Sequence, residues 1–61
     1  MKVFEYKIVT EYGAGLESTA GRLNDVVNSY IACGWVPKGG VSFLKENNVY
    51  MMTQAMTKEI T

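Results

Sequence analysis

The chain has 61 residues, with six Lys or Arg against six Asp or Glu, one cysteine and no histidine. That length holds one domain, residues 1–61, around a single thin core. Scattered charge of zero net sum excludes the concentrated positive footprint that duplex nucleic-acid binding needs. A lone cysteine without histidine excludes an internal disulfide and a tetrahedral zinc site built from one chain.

Surface scaling allows roughly 5,900 Å² to be buried on folding. If about 60% of that is apolar, burial contributes roughly 90 kcal/mol at about 25 cal/mol/Å². Ordering the chain at about 1.5 kcal/mol per residue costs nearly the same amount. With disulfide and metal excluded, self-association is the expected source of further stability.

Residues 2–10, KVFEYKIVT, alternate with period two. Phe4, Tyr6 and Ile8 form a strongly apolar face, while Val3, Glu5, Lys7 and Val9 form a mixed one, which predicts a strand. EYGAGLE follows with two glycines and no periodicity, and reads as a loop carrying Tyr12. From Ser18 to Cys33 the period changes to 3.6: Tyr30, Val26, Thr19, Val27, Ala20 and Ile31 fall within about 80° of Leu23 on a helical wheel. Ser18 or Thr19 is the expected cap, with Glu17 at the positive end of the dipole. Gly34 is the expected stop, and a Schellman ending would fold Trp35 back against Tyr30.

GGVSFL then alternates as a second strand with Val41 and Phe43 on one face, KENN reads as a turn, and VYMMTQAMTK is a long final strand apolar on both sides. Met52, Gln54 and Met56 share one face of it. The expected fold is α+β, in the order β-α-β-β, with one amphipathic helix on one face of a three-stranded, mostly antiparallel sheet. One helix covers one face only, so the other would present apolar side chains to a partner. A homo-oligomer, dimer or higher, is expected.

No apolar run reaches spanning length, and MKVFEYKIVT is interrupted by Glu5 and Lys7, so neither a membrane segment nor a secretory signal is expected. An unpaired cysteine suits a reducing compartment, and the expected location is the cytoplasm. No catalytic constellation is visible. Histidine is absent, Cys33 sits where a helix dipole disfavours a thiolate, and no serine lies in a nucleophile elbow, so the chain is expected not to be an enzyme and to need no cofactor. The corner GWVPKGG has two readings: a helix stop followed by a turn or bulge, or a nest of backbone N–H groups beside Lys38 that suits an anion.

Three segments carry a family resemblance. Tyr6, Lys7, Ile8 and Val9 match a YKVV-like strand; Gly34, Trp35, Pro37, Gly39, Gly40 and Val41 match a GW-x-P-x-GG corner; Gln54, Ala55 and Met56 match a closing QAM. Together they resemble a family of very small phage and bacterial domains of unknown function. That pattern is in turn similar to the Thoeris anti-defence proteins of phages, which act as sponges.

The resemblance implies a non-enzymatic phage or prophage protein in the host cytoplasm. Such a protein would sequester a signalling nucleotide, a cyclic ADP-ribose isomer or cyclic oligonucleotide, at interfaces between its subunits and so block host defence. The residues able to meet an adenine-containing diphosphate there are Arg22, Trp35, Lys38, Gly39, Gly40 and Gln54, with Tyr12 and Tyr50 beside them. Being short, this chain is expected to lack any additional ligand-contacting segment of longer relatives. The alternative is a small protein-interaction module that uses the open sheet face and takes no small ligand.

Overall fold

Alternating side chains commit three segments to strands, and one 3.6-period segment to a helix laid across them. The computed structural model describes residues 1–60 and has the order β1 (Phe4–Gly13), α1 (Leu16–Ala32), β2 (Val36–Glu46), β3 (Val49–Glu59). The sheet is antiparallel throughout, with the last strand in the middle and the order β1-β3-β2. The expected α+β arrangement is therefore present.

The boundaries move in physically informative ways. β1 runs on through Glu11, Tyr12 and Gly13, because these residues pair with Met52, Met51 and Tyr50 of β3. Pairing overrides the loop reading that Gly13 and Gly15 suggested. The helix begins at Leu16 with Gly15 as its cap and no side-chain capping bond. Ser18 and Thr19 do not cap it. Their hydroxyls donate back to the Gly15 carbonyl at 3.2 and 2.6 Å, the usual alternative for a hydroxyl residue inside the first turns.

The helix ends as its sequence dictates. Gly34 takes φ +95, its N–H donates to the Ile31 carbonyl and that of Trp35 to the Tyr30 carbonyl, both at 3.0 Å. This pair of bonds is the Schellman motif. Trp35 packs edge-on against Tyr30, with ring centroids 6.0 Å apart and planes at 80°. The strand then starts at once with Val36, three residues before the expected entry at Gly39. Pro37 is tolerated there because β2 is an edge strand. The expected KENN turn shrinks to two residues, Asn47 and Asn48, with φ 50 and 66, the signature of a type I′ hairpin.

The core is small: Val9, Leu23, Trp35, Met52 and Met56, flanked by Ala20, Val26, Val27 and Tyr30. Thr19 is also fully buried. Ile31, at the margin of the apolar arc, stays exposed, because Trp35 and Tyr30 already fill the end of the helix-sheet space. The helix covers the mixed face of β1, through Val9 and Lys7, together with Met52, Gln54 and Met56 of β3.

The strongly apolar face is left open: Phe4, Tyr6, Ile8 and Tyr12 are 56–63% exposed. The molecule measures 45 × 19 × 13 Å, with a Cα radius of gyration of 12.9 Å. A compact domain of this length would have a radius near 10.5 Å. No helix among the described residues is long and apolar enough to cross a membrane.

Candidate functional site

The two faces of the sheet carry different chemistry. On the covered face, the carbonyl end of α1 has no basic residue in its last turn, and the sheet supplies the charge instead. Lys7 Nζ lies 4.9 Å from the Tyr30 ring centre, 5.7 Å from that of Trp35 and 3.4 Å from the Tyr30 hydroxyl, to which it donates. Lys58 Nζ lies 5.9 Å from the Trp35 ring centre. These ammonium groups complement both the aromatic faces and the negative end of the helix dipole.

Gln54 is buried on this face, and its side-chain nitrogen donates toward the carbonyls of Lys38, Gly39 and Ala55 at 3.3, 3.2 and 3.0 Å. The ladder between β2 and β3 slips between Lys38 and Ser42, so Gly39, Gly40 and Val41 form a bulge. Gly39 turns the chain there with φ +72. Gln54 ties that bulge to the central strand, replacing ladder bonds that the irregularity removes.

Of the six residues expected to meet a nucleotide, Lys38, Gly39, Gly40 and Gln54 gather at the bulge, whereas Arg22 and Trp35 lie apart from it and from each other. Arg22 projects near the start of the helix, where its guanidinium donates to the Tyr12 carbonyl and pairs with Glu11 at 3.5 Å. Trp35 is buried beyond the other end of the helix. Gln54 spends its donors on the backbone. Lys38, Gly39 and Gly40 are exposed on edge strand β2, and Lys38 lies opposite Ala55, which in turn pairs with Ile8. Tyr50 packs against Phe43 at 5.7 Å with Lys45 above its ring, and Tyr12 is on the open face. Among the described residues, no three of His, Cys, Asp and Glu gather as a metal site.

The open face is the larger feature. Register places Phe4, Tyr6, Ile8, Thr10 and Tyr12 of β1 beside Thr57, Ala55, Thr53 and Met51 of β3, and Val36, Lys38, Ser42 and Leu44 of β2 on the far side. At the hairpin end this face dips into an apolar concavity of about 290 Å³ lined by Tyr12, Leu44, Glu46, Asn47, Val49 and Met51. The alternation of Phe4, Tyr6 and Ile8 was the available signal for the face. The concavity was hidden because Tyr12 read as part of a loop and Leu44 as the end of a short strand. No protein-family model, curated protein or solved structure matches the chain.

Proposed function

We propose that the chain is a non-enzymatic protein-interaction module whose working surface is the open face of its sheet. One observation carries this reading: Phe4, Tyr6, Ile8, Tyr12, Val36, Leu44 and Val49, all exposed, lie on one side of three paired strands. An exposed apolar surface of this kind on a small domain, crossed by the single hydroxyl row Thr10, Thr53 and Ser42, marks an interaction site.

The test is hydroxyl-radical footprinting of tyrosines in cells expressing either the wild type or Ile8→Lys, with Tyr30 on the covered face as internal reference. Ile8 makes no core contact, so the substitution leaves the fold intact and disturbs only the face. Weaker labelling of Tyr6 and Tyr12 in the wild type than in the variant is expected. Equal labelling overturns the reading.

A second reading, sequestration of a signalling nucleotide as the resemblance to phage sponge proteins implies, is favoured by a separate observation. Lys38 and the Gly39–Gly40 backbone are exposed at the margin of this same face. An assembly formed through the face would bring these groups to its interface, where an ammonium and bulge N–H donors suit a phosphate. Titration with ADP-ribose isomers and cyclic di- and trinucleotides, followed by calorimetry and by fluorescence of the single tryptophan, tests it. Binding that Lys38→Ala abolishes without changing assembly supports sequestration. Silence across the panel removes it.

A further inference from the structure

We infer that a second copy of this chain closes the open face, its strands reversed about a twofold axis along the row Ile8, Ala55 and Lys38. This inference rests on the open face being the working surface, and it names the partner.

Size is the first argument. Three strands of 10 or 11 residues, at about 3.3 Å per residue and about 4.8 Å per strand, give a face of about 500 Å², so two copies would bury about 1,000 Å² in total, the size at which a specific interface begins. Charge distribution is the second. Along β1 the open-face positions from Phe4 to Tyr12 carry no charge, and neither do those from Val49 to Thr57 on β3. Lys38 and Glu46 lie on edge strand β2, and Glu59 at the end of β3, already paired with Lys2 at 3.7 Å. An uncharged centre with charges at the rim is the anatomy of a protein interface.

Shape decides the orientation. β1 carries an aromatic at each end of the face, Phe4 and Tyr12, each four residues from Ile8. The concavity lies at the Tyr12 end, while Phe4 stands exposed at the other end beside Glu59. Reversing the strands about Ile8 and Ala55 lays Phe4 of each copy over Tyr12 at the β1 wall of the other's concavity, and Glu59, its carboxylate held by Lys2, over Met51. Both concavities are then covered at that wall by one isologous contact. Stacking the strands in the same direction would set concavity against concavity and forfeit contacts at both.

At the middle of the axis the central strand offers Ala55, a side chain small enough for two sheets to approach at about 10 Å. The two Lys38 side chains meet at the rim, where their stems can lie on apolar surface and their ammonium groups remain in water. That is also where the anion of the nucleotide reading would be shared between subunits.

Sedimentation equilibrium of the wild type and of Ile8→Lys tests the partner, and cross-linking tests the orientation. With Cys33→Ser as background, single cysteines replace Met51, Ala55 or Glu59 along the central strand and are treated with a short bismaleimide. A dimer is expected, weakened by more than about tenfold in Ile8→Lys, where a lysine enters an apolar contact. Ala55→Cys should link to itself, whereas Met51→Cys and Glu59→Cys should link only when mixed. Self-linking of Met51→Cys and of Glu59→Cys overturns the reversed orientation. A monomer whose Tyr6 and Tyr12 are nonetheless protected in cells overturns the second copy and leaves the face to a different protein. A dimer indifferent to Ile8→Lys overturns the inference, and only if Tyr6 and Tyr12 are also labelled equally in wild type and variant does the reading it rests on fall with it.

Discussion

Replacing Gln54 by leucine separates its two conceivable roles, since the change keeps the buried volume and removes only the amide. In the wild type the side-chain nitrogen holds three carbonyls, two of them in the β2 bulge. Its two hydrogens are worth about 0.5–1.5 kcal/mol each in net stability, so the loss should be about 1–3 kcal/mol. The Lys38 and Gly39 carbonyls belong to exposed residues that water can reach, which keeps the cost from rising further. A domain of this length has about 3–9 kcal/mol in total, and each kcal/mol lost lowers the melting temperature by about 4–8 °C. The assay is thermal unfolding followed by Trp35 fluorescence at one fixed protein concentration, because self-association stabilises the folded state by mass action. A melting temperature unchanged in Gln54→Leu, together with weakened nucleotide binding, would refute the tie and assign Gln54 to a ligand.

Two further substitutions probe the backbone. Gly34→Ala should cost about 1–2 kcal/mol in urea unfolding, since Gly34 holds φ +95 and an alanine pays the left-handed penalty. The nearest atom to an added Cβ, Lys58 Cε, is 3.5 Å away, so conformation and not collision sets that cost. Asn48→Val should destabilise by at least about 1 kcal/mol, because a β-branched residue at φ 66 is strained where asparagine is tolerated. Asn48→Gly, measured alongside, should be neutral or stabilising.

The helix ending was the most legible part of the sequence. Gly34 and Trp35 specify the Schellman motif through local bonds alone, and the Tyr30 contact follows from their spacing. The alternation in β1 and β3 likewise revealed that three strands would offer apolar residues on two sides. What the sequence could not reveal was which side the helix would choose. Phe4, Tyr6 and Ile8 are the most apolar set, yet α1 packs on Val9 and Lys7, because the position of the helix depends on the crossover from Gly13 to Leu16 and on where Trp35 closes the far end.

The candidate site was less legible for a related reason. Arg22, Trp35, Lys38 and Gln54 are suitable by residue type, but their distribution among helix, core, edge strand and central strand follows from tertiary packing. The two glycines of the corner lie in the bulge made by the register slip between Lys38 and Ser42, a position set by pairing with β3 and not by their own residue types.

The strand order also dictates when this protein can fold. β1 and β2 touch each other nowhere in the sheet, and every ladder bond either of them makes is to β3. Until residues 49–59 have been synthesised, the preceding segments hold only a helix whose packing surface is missing Met52 and Met56. A helix of 17 residues without its sheet is marginal in water. Formation of the domain is therefore a single late event on the nascent chain, and a ribosome stalled before Val49 carries no partially assembled sheet.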